Sequence, residues 1–146
     1  MPYTVPQLLG MSQKDLDDLF TSSQPGDIPN GEANGTVIIA PGTTYSQEIA
    51  QFINHFAWQG KVFDASHGTL RNRILPFGLN AIIAKVYKGE SWFDHKECIV
   101  LDYSETSLLA EWVRDEIRII SPSLYLGVVY WKNSRLVNFT IQFPGQ

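Results

Sequence analysis

The side chains with chemical potential in this chain gather in four short segments, where acids and bases stand beside aromatic rings. They are Trp58-Gln59-Gly60-Lys61-Val62-Phe63-Asp64, then Lys85-Val86-Tyr87 with Ser91-Trp92 just after it, then Leu101-Asp102-Tyr103-Ser104, and then Arg114-Asp115-Glu116-Ile117-Arg118 followed by Leu124-Tyr125-Leu126-Gly127. Aromatic rings with a few convergent polar groups make the lining of a ligand cavity. An interior arginine can grip a carboxylate through two parallel hydrogen bonds, and a tyrosine can complete the grip. On side-chain type and placement, Asp102, Tyr103 and Arg118 are the expected catalytic residues. Asp102 or Tyr103 would carry a proton and Arg118 would stabilise developing negative charge. Trp58, Lys61, Phe63, Lys85, Tyr87, Tyr125 and Phe139 are the expected ligand-binding residues.

Each has a plainer reading. Trp58 and Phe63 suit an ordinary core, and Lys61 at a strand start suits solvent. Arg114, Asp115, Glu116 and Arg118 could form an ion-pair ladder on a helix surface. Tyr103 and Tyr125 could line a cavity or stand at its rim. Asp102 is harder to place, because a carboxylate in an apolar strand needs a partner; Arg118 or Lys85 would serve.

Other chemistries have no signature. The chain has no G-x-S-x-G elbow, no P-loop, no G-x-G-x-x-G and no H-E-x-x-H. His55, His67 and His95 are widely separated and fit no common zinc spacing, so no metal and no other cofactor is expected. His67, in Ser66-His67-Gly68, reads as a loop residue. Cys98 lies in an apolar strand and reads as a buried, inert thiol.

The elements that must position these residues are mainly strands. Ser12 and Asp15 open a short acidic helix over 13–21, with Leu16, Leu19 and Phe20 as its apolar stripe. A turn-rich loop follows, with two Asn-Gly pairs, and then a strand at Thr36-Val37-Ile38-Ile39. Ile49, Phe52, Ile53 and Phe56 recur at helical spacing and predict a helix over 47–57. Strands are expected over 61–64, 69–75, 81–88, 97–103, 124–131 and 136–143, with a turn at Asp94-His95-Lys96 and a hairpin turn over 132–135. The last strand alternates cleanly, with Val137, Phe139, Ile141 and Phe143 on one side and Asn138, Thr140 and Gln142 on the other. Leu108, Leu109, Trp112, Val113, Ile117 and Ile120 fit one helical face and predict a helix over 107–117, although an extended reading also fits the second half of the segment. The pattern is α+β and mainly antiparallel β: a barrel or strongly bent sheet with two or three flanking helices.

Length and composition agree. At 146 residues, 44% hydrophobic and 18% charged, the chain reads as one folded domain, 1–146, with an acidic lead over 1–34 and a barrel body over 35–146. A single cysteine excludes an internal disulfide. A net charge of −4 argues against a nucleic-acid surface. The lead holds Asp15, Asp17, Asp18, Asp27 and Glu32 against Lys14 alone, and the body is balanced. No run of apolar residues is long enough to span a bilayer and no signal-peptide pattern opens the chain, so a soluble, cytoplasmic protein is expected. The triplets Asn34-Gly35-Thr36 and Asn138-Phe139-Thr140 then read as chance matches to a glycosylation signal.

The order of segments resembles the calycin/lipocalin-like small barrels, and among them the GXWXG-type domains of unknown function. The matching residues are Trp58, Gly60, Lys61 and Phe63, then Asp102 and Tyr103, then Asp115 and Arg118, then Leu126 and Gly127, within residues 31–143. The chain departs at the naming motif, since Gly31-Glu32-Ala33-Asn34-Gly35 has no tryptophan, and the expected helix over 47–57 is extra. The resemblance implies binding of lipids or other small apolar molecules, or cyclase, isomerase or decarboxylase chemistry in some relatives.

Three functions follow as expectations. The first is a barrel that binds a small hydrophobic molecule, lipid-, polyketide- or terpenoid-like. The second is a cofactor-independent cyclase, isomerase, dehydratase or decarboxylase acting in the same cavity by acid–base catalysis, with Tyr125 positioning the substrate. The third is an interaction protein whose acidic lead docks a basic partner. The 18 aromatic residues and the missing catalytic motifs favour the first.

Overall fold

The computed structural model describes residues 3–38, 58–74, 79–103, 113–131 and 134–144. Two helices, α1 (Val5–Leu9) and α2 (Gln13–Ser22), come first. Eight strands follow: β1 (Gly31–Ile38), β2 (Trp58–Asp64), β3 (Thr69–Ile74), β4 (Leu79–Glu90), β5 (Glu97–Asp102), β6 (Val113–Ser121), β7 (Leu124–Trp131) and β8 (Ser134–Gln142). Each strand pairs antiparallel with the next, and β1 pairs with β8 to close the barrel.

Local signals explain the helices. The Ser12 hydroxyl caps α2 by accepting from the Asp15 amide at 3.1 Å. Helix α1 lies where no helix was expected. Its start is nevertheless written in the sequence: Thr4 and Gln7 form a reciprocal capping box, with Pro6 in the first turn.

Alternation assigns the two faces of each strand. Val137, Phe139 and Ile141 of β8 point into the barrel, where they join Phe63, Leu70, Val86, Ile99, Leu101, Ile117 and Val129. Outward residues of β7 (Leu124, Leu126, Val128 and Tyr130) pack instead under Leu8, Leu16 and Phe20 of the helices. Strand β7 is therefore apolar on both faces, which is why its sequence shows no alternation. The same cover buries the outward polar row of β8 at Asn138 and Thr140. At the β7–β8 seam, Gly127 faces Phe139, and a Cβ on Gly127 would lie 2.2 Å from the phenylalanine ring. Only glycine leaves room for that ring.

Some boundaries differ from expectation. Strand β1 begins at Gly31, so its Asn34-Gly35 pair is strand rather than turn. Residues 113–117, expected to be helical, form the first half of β6; the rest of that expected helix, and the whole of the one over 47–57, lie outside the described residues. The connections after β2, β4 and β6 are tight turns at one end of the barrel, where β1 starts and β8 stops. At the turn after β4, His95 adopts φ 62°.

Candidate functional site

The barrel interior holds one cluster of ionisable side chains among the described residues. Lys61 of β2, Asp115 of β6 and Tyr103, just past β5, all point inward and are each only 3% exposed. The Lys61 ammonium donates to the Tyr103 hydroxyl at 2.9 Å and pairs with Asp115 Oδ2 at 3.4 Å. It also lies 5.5 Å from the centre of the Tyr103 ring and 5.7 Å from that of Phe139. The other carboxylate oxygen, Asp115 Oδ1, is buried and has no hydrogen-bond partner among the described residues.

Burial pushes the Asp115 carboxyl up to about 6; Lys61 works against that shift and Glu116 adds to it. For Lys61, burial works to lower the value, but Tyr103 and Asp115 outweigh it and hold the ammonium above its ordinary range. The interior pair is thus charged at neutral pH, in apolar surroundings.

The outer face of β6 carries a second, different set of charges. Arg118 has its five N–H groups engaged: Nε donates to the Glu97 carbonyl, Nη1 to the Phe20 carbonyl and Asp94 Oδ2, and Nη2 to Asp94 Oδ1 and the Lys96 carbonyl, over 2.7–3.2 Å. It also stacks over the Phe20 ring at 4.5 Å. Arg118 holds the Asp94 carboxyl below its ordinary range. Glu116 is fully buried and accepts from the Ser91 hydroxyl at 2.6 Å, the Trp92 amide at 2.7 Å and Arg114 at 3.1 Å. Arg114 in turn lies over the Trp92 ring at 4.3 Å. Together these groups clamp the β4–β5 turn and α2 to the barrel wall.

The residues singled out from sequence therefore divide. Lys61, Phe63, Tyr103, Tyr125 and Phe139 point inward. Asp102, Lys85 and Tyr87 are on the outer face, where Asp102 and Lys85 are cross-strand partners and Asp102 accepts from the Tyr87 hydroxyl at 2.7 Å. Arg118 is also outside the barrel, and its bonding to backbone carbonyls and Asp94 leaves it no route to an interior ligand. The side chain of Trp58 lies outside those described. Asp115 was not among the expected site residues, although Lys61 and Tyr103 were; a strand reading of 113–117 would have placed it between Val113 and Ile117 on the inward row. His67 is exposed and bound to Asp64 at 2.7 Å. The Cys98 thiol is buried and pushed up to about 12 by that burial, so it is unreactive. Among the described residues no three His, Cys, Asp or Glu side chains gather as a metal site would require.

A pocket of about 370 Å³ opens at the end of the barrel with the tight turns, lined by Pro29, Glu32, Ser123, Tyr125, Phe143 and neighbours. The Tyr125 hydroxyl donates to the Asp27 carbonyl at 2.9 Å, and the Phe143 ring lies 5.6 Å from that of Phe63 and packs against the interior cluster. Asp115 lies near the start of β6 and Tyr103 just beyond β5, so the ionisable cluster is toward the opposite end. Tyr125 belongs to the pocket rather than to the cluster.

No family model matches the chain, and no curated protein matches it. Among solved structures, the crystal structure of a protein from Thermomonospora curvata is similar, with a TM-score of 0.64 at 14% identity, over 93% of this chain and 90% of that one. At that identity the likeness carries the fold alone. The class is a closed, eight-stranded antiparallel barrel of calycin-like form with short helices outside it. No helix among the described residues is long and apolar enough to cross a membrane.

Proposed function

We propose that the barrel binds a small, mainly apolar molecule in its interior, with the Lys61–Asp115–Tyr103 cluster fixing the molecule's polar end. The carrying observation is the cluster itself. An ion pair inside an apolar barrel is costly to desolvate and stabilises a fold poorly compared with well-packed aliphatic side chains. That cost fits a recognition role better than a structural one. A barrel of eight strands is of the size that can hold one small ligand. Kinship with the GXWXG-type small barrels is part of this reading, supported by the Trp58–Phe63 segment and by Leu126-Gly127. Native mass spectrometry of the freshly purified protein tests it. A stoichiometric small molecule is the expected result; a clean unliganded mass with no uptake of apolar probes overturns it.

A second reading is supported by the Asp115 carboxyl at about 6, a value suited to a general base near neutral pH. Asp115 would take a proton from a carbon beside a substrate carbonyl and return it to another carbon. Lys61 and Tyr103 would stabilise the oxygen anion formed in between. That is an isomerisation needing no co-reactant. Asp102 and Arg118, on the outer face, have no part in it. Turnover of an identified ligand should rise with pH through about 6 and disappear in Asp115→Asn; turnover that is flat with pH and survives the substitution removes this reading.

A further inference from the structure

We infer that the polar end of the interior ligand is a neutral hydroxyl that donates a hydrogen bond to Asp115 Oδ1. The inference rests on the interior-binding reading and adds the chemical class of the ligand to it. Of the two oxygens on this carboxylate, Oδ2 faces the Lys61 ammonium at 3.4 Å, while Oδ1 is buried with no partner among the described residues. A buried, unmatched acceptor is expensive, and a charged one more so, which makes it the strongest unfilled demand in the interior among the described residues. Only a donor fills it.

The charge of that donor is fixed by its surroundings. Among the described residues Lys61 and Asp115 cancel, and the interior around them is built from Val113, Ile117, Val129, Val137 and Phe139. An added carboxylate would leave a net negative charge and set like charges together. An added ammonium would leave a net positive charge. Either carries the desolvation cost of an unpaired ion, whereas an alcohol adds none. The clamp on a carboxylate expected from Arg118 has no counterpart in the interior among the described residues, because that arginine is committed outside the barrel to Asp94 and three carbonyls.

The test is calorimetric titration of the full chain at pH 7.5 with four probes built on one eight-carbon chain: 1-octanol, its methyl ether, octanoate and octylamine. The expected result is that octanol binds about ten-fold or more tightly than each of the others, the size of one hydrogen bond to a charged group. Asp115→Asn should reduce the octanol preference over the ether several-fold, because the acceptor loses its charge. The wild-type comparison stands even where that variant does not fold. Equal affinity for octanol and its ether, or a preference for octanoate or octylamine, overturns this inference and leaves interior binding intact. Absence of binding by all four probes removes both.

Discussion

Strand β6 offers a comparison within a single run of residues. Asp115 points into the barrel, while Arg114, Glu116 and Arg118 point out, and all four are charged. Outside, the partners are complete: Arg118 uses its five N–H groups and Glu116 accepts from three residues. Inside, Asp115 has Lys61 on one oxygen and nothing on the other among the described residues. A buried charge with full hydrogen bonding is a fastener, because its own fold meets its needs. A buried charge left incomplete is a candidate for meeting something that is not part of the chain.

The largest expected effect lies on the outer face. Arg118→Leu leaves Asp94 and the carbonyls of Phe20, Glu97 and Lys96 without their donor, and should cost about 3–5 kcal/mol in urea denaturation. Interior ligand binding by the protein that remains folded should be unchanged. Loss of affinity at equal folded fraction would mean that the two faces are not separate in function.

The interior makes an opposite prediction through pH. With an ordinary value of 3.8 and a folded value of about 6, Asp115 binds more protons in the folded state than in the unfolded one across that range. Its contribution therefore makes the protein less stable as pH rises from 3.8 to 6, by about 3 kcal/mol in all. Asp94, held low by Arg118, acts the other way and only at lower pH: its contribution is lost as pH falls below 3.8. The difference between wild-type and Asp115→Asn stability curves should isolate the Asp115 slope. Parallel curves between pH 4 and 6 would show that the carboxyl is not shifted.

Packing and satisfaction can be compared on smaller scales. Gly127→Ala forces a methyl against the Phe139 ring and should cost about 1–3 kcal/mol, with part recovered in the double variant that also carries Phe139→Leu. The Thr140 hydroxyl is buried on the outer face with no partner among the described residues, so Thr140→Val should be neutral or stabilising by up to about 1 kcal/mol. The smallest effect thus has the reverse sign. A marked loss on Thr140→Val would reveal a partner for that hydroxyl and weaken the contrast with Asp115.

How much of this could be read from residues alone depends on the face of each strand. Strand β8 was legible because one side is apolar and the other polar, the period-two pattern in its plainest form. In β6 the inward row runs Val113, Asp115, Ile117 and Ile119, and the acid breaks the apolar row. The outward row places Arg114 and Arg118 four apart, a spacing that also suits ion pairs on a helix. Both features steer the reading from strand to helix, and with it Asp115 from interior to surface. In β5 the ambiguity has another source. Cys98 and Val100 face outward yet are buried, so the run to Leu101 is apolar on both sides and gives no phase for Asp102. Residue type alone makes Lys61 and Tyr103 candidates, but nothing in their own segments names Asp115 as the third member.

The bond from Arg118 to the Phe20 carbonyl spans 98 residues of sequence. The same guanidinium needs the β4–β5 turn in position to reach Asp94 and Lys96. None of these partners is local to it, so the full set exists only after the turn and α2 have both docked on the barrel. In kinetic terms the arginine would act as a latch, so Arg118→Leu is expected to speed unfolding far more than it slows folding.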